Sequence, residues 1–168
     1  MTEIATRTQV LLVRLTVLLL VGLIIVGVVR YGVSAQELQR IGQNILARPG
    51  GPMAFRFILQ PAMATIAALL DGIKDVRTGR PPYFWTLLTN EADRGARLYE
   101  GLISTARIIL LGLVMDSIYQ LLVLKMFFPA ESVIVALTLA FLPYVLLRGP
   151  MSRIARRFIS EATTDSVR

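Results

Sequence analysis

Four long apolar runs, separated by shorter polar stretches, organise the chain. The first, Leu11 to Val29, is nearly all Leu, Val and Ile and carries one charge, Arg14. About 20 apolar residues in a helix cross a hydrocarbon core of about 30 Å, so a transmembrane helix is predicted over 11–30. A secretory signal is the alternative, with Val33-Ser34-Ala35 as its cleavage site. Arg30 and Tyr31 lie between the apolar run and that site, which favours a retained helix. The second run, 53–73, is weaker because it contains Arg56, Gln60 and Pro61, and an interfacial or re-entrant segment is its alternative. Its Ala64, Ala68 and Gly72 recur every four positions on one stripe, the spacing that lets helices approach closely in lipid. The third run, 102–124, holds Arg107, Asp116 and Gln120. The fourth, 130–147, follows the helix-starting Pro129 and contains Pro143.

The connecting stretches are patterned as well. Ser34 and Glu37 have capping-box spacing. Leu38, Ile41 and Ile45 follow at helical spacing, and Pro49-Gly50-Gly51 ends the pattern, so an amphipathic helix is predicted over 35–47. Pro81-Pro82 breaks the chain before Tyr83, Phe84 and Trp85, residues suited to the headgroup belt. Asn90 caps a helix that starts at Glu91 and continues into the third span. From Arg148 to Ser160, Ile154, Phe158 and Ile159 lie among Arg153, Arg156 and Arg157, the pattern of a tail lying on a membrane surface. The expected fold is all-α: one polytopic membrane domain over 1–168, with four spans, a periplasmic amphipathic helix and a cytoplasmic amphipathic tail.

Composition narrows the chemistry. Charged residues are only 17% of the 168, against about 25% in typical globular proteins. The absence of Cys and His excludes disulfides, thiol redox chemistry, Cys nucleophiles, His-held zinc or haem, and a Ser-His-Asp triad. The net charge of +7 is read as topology information and not as a nucleic-acid signal. Twelve cations fall on the N-terminus, the 74–101 loop and the tail, against five on the opposite side (Arg30, Arg40, Arg48, Arg56 and Lys125). Both termini are therefore expected in the cytoplasm, and the 35–47 helix outside.

An ionisable residue inside a span is a functional hypothesis by default. Asp116 leads, with Gln120 one turn on and Tyr119 beside it. Arg56 and Gln60, on the antiparallel second span, fall at similar depth, which predicts an outer polar cluster of Arg56, Gln60, Asp116, Tyr119 and Gln120. Asp71, Asp75 and Arg107 form a second candidate cluster near the inner edge. One reading makes Asp116 the titrating group of a proton or cation path. The other makes these groups interhelical glue, at about 0.6–2 kcal/mol per hydrogen bond. The glue reading is favoured, since neither a His nor a second mid-span acid supplies a relay. On that reading Asp116→Asn is tolerated and Asp116→Leu costs more.

Asp71-Gly72 at a membrane edge resembles the opening of the CDP-alcohol phosphotransferase signature. The pattern then departs: Asp75 stands where that family has alanine, and the downstream Gly-x3-Asp-x3-Asp is absent. No metal, cofactor or enzymatic activity is therefore expected. Lys74, Arg77 and Arg80 are instead candidate contacts for anionic lipid phosphates. The stretch from Phe57-Ile58-Leu59-Gln60-Pro61 through Asp71-Gly72-Ile73-Lys74-Asp75 to Gly79-Arg80-Pro81-Pro82-Tyr83, with Asp116, Tyr119 and Gln120, resembles a group of small four-helix bacterial inner-membrane proteins without assigned function. That resemblance implies a fold and a compartment. The expected role is a non-enzymatic membrane component that associates with itself or with partner membrane proteins, the alternative being a small ion- or proton-coupled transporter using Asp116.

Overall fold

The computed structural model describes residues 6–165, with side chains as far as Arg156. The expected surface contacts of Arg157, Phe158 and Ile159 lie outside the described residues. All regular structure among them is helical: α1 (Arg7–Tyr31), α2 (Ala35–Ala47), α3 (Arg56–Arg77), α4 (Tyr83–Thr89), α5 (Glu91–Tyr119), α6 (Pro129–Ala136) and α7 (Leu142–Asp165). One 3₁₀ turn, Arg48–Gly50, follows α2. Four helices are long and apolar enough to cross a membrane: Arg7–Tyr31, Arg56–Arg77, Glu91–Leu124 and Pro129–Arg156.

Local chemistry explains the boundaries. Thr6 and Gln9 form a reciprocal capping box that starts α1, a signal not used in reading the sequence. At α2, Ser34 accepts from the Glu37 amide, but the Glu37 carboxylate turns to Arg40 one turn on. A charged partner wins over the return bond of the box. The second span starts at residue 56 and not 53, because turns occupy 52–55 and Met53 is left-handed at φ 63°. Asn90 accepts from the Asp93 amide, and α5 runs without a break into the third span. Two π-helical turns, Gln120–Leu124 and Leu137–Phe141, widen the long helices. The second precedes Pro143, which has no N–H to give the Leu139 carbonyl; Leu142 bonds back to Leu137, and the wider turn absorbs the mismatch.

The small-residue stripe is used inside the chain. Ala64 and Ala68 are fully buried, and a Cβ on Gly72 would lie 3.0 Å from the Ser152 amide nitrogen of α7. A Cβ on Gly27 would lie 2.6 Å from the Ala130 side chain at the start of α6. Around these seams Ile109, Leu113, Val133, Ala136, Ala140 and Tyr144 form the core. α1 buries only Val13, Thr16, Leu20 and Gly27, and leaves Leu18 71% exposed.

Gly27 and Gly22 separate packing from helix propensity. Gly27→Ala pushes a methyl into the α6 backbone and should destabilise by about 1–3 kcal/mol. Gly22→Ala meets no atom within 4 Å and should be neutral or gain up to about 1 kcal/mol. Thermal unfolding of both variants in the same detergent checks the contrast.

Candidate functional site

The bundle carries two polar clusters, one at the end that holds α2 and one at the end that holds α4. The α2 end is built on Asp116, which is fully buried. Its Oδ1 accepts from Arg56 Nη2 at 2.7 Å and also from Arg48 Nη1; its Oδ2 accepts from Gln120 Nε2 at 2.7 Å. Arg48 comes from the 3₁₀ turn after α2, and its other terminal nitrogen reaches Glu131 on α6. Glu131 also accepts from Arg40 Nη1 at 3.0 Å and Asn44 Nδ2 at 3.1 Å, and Arg40 pairs back to Glu37 at 2.7 Å. The Tyr119 ring lies 5.0 Å and 5.1 Å from the Arg48 and Arg56 guanidinium carbons, within cation–π range. Gln120 closes the group: its carbonyl takes the Phe128 amide at 2.6 Å, and its amide also reaches Ser132 at 3.0 Å.

Three acids (Glu37, Asp116, Glu131) thus face three arginines (Arg40, Arg48, Arg56), and the cluster is neutral. That balance is what burial demands, because an uncompensated charge in a low dielectric costs several kcal/mol.

The α4 end repeats the arrangement. Asp75 receives Arg148 Nε at 2.8 Å and Nη2 at 3.0 Å, with Arg97 Nη1 at 3.0 Å. Arg148 donates to the Tyr144 hydroxyl at 2.7 Å, which donates to Asp71 Oδ2 at 2.6 Å; Ser104 donates to the same oxygen. Glu100 pairs with Arg80 at 2.8 Å. Tyr83 of α4 lies under the Arg148 guanidinium, 4.3 Å from ring centre to carbon, and donates to the Arg97 carbonyl at 2.8 Å. Burial pushes the Tyr83 phenol up to about 12, against the pull of the Arg148 charge.

The structure brings Arg56, Asp116, Tyr119 and Gln120 together, and places Gln60 one turn from Arg56 with its amide bonded to no side chain. Asp71 and Asp75 enter the α4-end network through Ser104, Tyr144, Arg97 and Arg148. Arg107, expected beside them, points out of the bundle and has no partner among the described residues. Ser104, one turn nearer the α4 end, takes the place opposite Asp71 instead. Arg80 pairs with Glu100, and Arg77 is exposed.

Sequence reasoning missed Arg48, Glu131, Arg40 and Asn44. A signal existed: Glu37, Arg40, Asn44 and Arg48 are spaced to form one polar stripe, and Glu131 is an acid inside the fourth apolar run. Every carboxylate oxygen of Asp116 and Glu131 is engaged by protein donors, an arrangement that clamps helices and offers no free base. No group of three or more Asp and Glu among the described residues is placed to hold a metal ion. Compared with known protein families, curated proteins and solved structures, the chain matches none.

The geometry changes the expectation for Asp116. Two guanidiniums converge on one oxygen, so Asp116→Asn leaves a buried positive charge uncompensated and should cost about 3–5 kcal/mol. Asp116→Leu should cost at least as much. Guanidinium or heat unfolding in detergent reads both, and an Asn variant with wild-type stability would contradict the clamp. Tyr83 gives a pH test. A phenol raised from 10 to about 12 stabilises the fold fully below pH 10 and loses that contribution as the pH climbs toward 12. The stability gap between wild type and Tyr83→Phe should therefore narrow across that window.

Proposed function

We propose that the chain is a multi-pass component of a bacterial inner membrane that acts without catalysis, by associating through its helices with a second copy or with partner membrane proteins. The observation that carries this reading is the occupancy of Asp116, buried and held by Arg48, Arg56 and Gln120. A carboxylate that ferries protons must exchange its partners with water. Releasing either arginine here strands a buried charge.

The surface for association follows from what the fold has already used. Ala64 and Ala68 are buried inside the chain, Gly72 is spent on α7, and Gly27 on α6. The outer face of α1 remains, apolar all round, with Leu18, Val21 and Ile25 exposed. The termini and α4 are assigned to the cytoplasm and α2 to the periplasm on the excess of Lys and Arg at the α4 end. Exposed Arg77, Arg153 and Arg156 at that end, together with Lys74, suit the phosphates of anionic lipids.

Two experiments test the proposal. Gln43 and Thr89 are both exposed, and the chain has no native Cys. In intact cells an impermeant thiol reagent should label a cysteine at Gln43 and not at Thr89; the reverse would invert the topology. A photo-crosslinker at Leu18 should give one adduct of discrete mass in native membranes, whereas one at Ile66 on α3 should not. A chain that stays monomeric in nanodiscs, gives no adduct from α1 and conducts protons would replace association by ion-coupled transport.

A further inference from the structure

Among the described residues, four buried side-chain atoms lack a hydrogen-bond partner: Arg48 Nε, Arg56 Nη1, Gln60 Nε2 and Gln60 Oε1. All belong to the α2-end cluster, and all three residues are 1% exposed. Gln60 is the sharpest case. Both ends of its amide are unpaired, and it lies one helical turn below Arg56 on the same face of α3. Its position is built for a polar group, because Gly112 of α5 leaves the space its amide occupies: a Cβ there would lie 3.1 Å from Gln60 Nε2.

We propose that Gln60 and Arg56 form a closed site for ordered water between α3 and α5. Buried polar groups of native proteins are satisfied by protein or by ordered water, and a buried water makes about three hydrogen bonds. The orphan set matches that requirement. Gln60 Nε2 and Arg56 Nη1 donate to the water oxygen, while Gln60 Oε1 accepts one of its hydrogens.

Charge decides between water and an anion. Donors outnumber acceptors here, which taken alone would suit an anion. The surrounding cluster is already neutral, however, with three arginines against three acids. An anion would add a buried charge with no counterion, whereas a water costs only its immobilisation. The site is closed as well as wet: Ala136 of α6 lies against Gly112, and Ala64 and Ala68 below are fully buried. It is therefore a hydration site and not a path across the membrane.

Two measurements test this. In nanodiscs with glutamine side chains labelled in ¹⁵N, the Gln60 amide protons should show transfer to water that persists when bulk water is suppressed; Gln60→Met assigns the signal. Absence of that transfer in the wild type overturns the proposal. The second readout is stability. If the amide holds water, Gln60→Met strands Arg56 and should lower Tm by about 2–4 °C. If the amide is dry and merely unpaired, Met removes its burial cost and Tm rises, which also overturns the proposal. Replacing chloride by gluconate should leave the wild-type Tm unchanged; a drop would assign the site to an anion and overturn the choice of water.

Discussion

The fold depends on cancelling one carboxylate charge inside an apolar bundle. Asp116 lies well within α5, where an isolated charge is not tolerated, and three separate stretches converge to neutralise or bond it. Arg56 begins α3 at its level, Arg48 enters from the turn after α2, and Gln120 sits one turn further along α5. The path of the chain follows from these demands. α5 with its π turn continues eight residues past Asp116, about 12 Å, whereas α3 starts level with it. The space left above α3 is filled by the 3₁₀ turn that carries Arg48, with Gly51 against the Tyr119 hydroxyl. Gln120 then transmits the constraint to α6 through the Phe128 amide. A single acid thereby fixes where α2 ends, where α3 begins and where α6 is anchored.

The α4 end meets the same constraint with Asp75 between Arg97 and Arg148, and the two ends together do what hydrophobic packing in lipid does poorly. Apolar helices in a membrane gain nothing from hiding apolar surface, so smooth seams such as Ala64, Ala68 and Gly72 allow closeness but do not specify an axial position. A slide of α3 by one turn, about 5.4 Å, would break the Arg56–Asp116 pair and the Asp75–Arg148 pair together. Buried ion pairs add little net stability over apolar residues of equal volume, yet breaking one is expensive. Here that asymmetry sets register: small residues bring the helices into contact, and the charged ends decide which contact.

Much of this was legible in the sequence. Apolar run length gave four helices able to span, and the Ser34 and Asn90 caps placed the starts of α2 and α5 correctly. Depth matching along antiparallel helices put Gln60 level with Asp116 and Arg56 one turn higher, level with Gln120; the structure is offset by about a turn, with Arg56 on Asp116 and Gln60 against Gly112. The same arithmetic failed for Arg107. Depth does not specify azimuth, and Arg107 faces outward while Ser104 faces Asp71. Arg48 was illegible for another reason: a residue between a helix end and Pro49-Gly50-Gly51 has no periodicity to extrapolate. Glu131 was read as part of an apolar run although an acid just after a helix-starting proline is also what a helix N-terminus favours. Its real partners lie 83 to 91 positions earlier in the chain.

The α2 helix shows how the charge constraint overrides the usual use of an amphipathic segment. A surface helix is expected to bury its apolar stripe and leave its polar stripe wet. Here Glu37, Arg40, Asn44 and Arg48 form the stripe turned to the bundle, while Leu38 is 61% exposed and Leu46 82%. No residue of α2 is fully buried, and the polar contacts it makes to α6 converge on Glu131. The inversion leaves the apolar side chains of Leu38 and Leu46 on the outside of the bundle. It also separates α2 from Arg48 in strength of attachment. The Arg40–Glu131 pair that ties α2 to α6 is partly exposed on its arginine side and open to screening by salt, whereas Arg48 is buried between Asp116 and Glu131 and is screened far less. The 3₁₀ turn is therefore the fixed point of this end of the molecule, and α2 is the element that loosens first when charge is weakened.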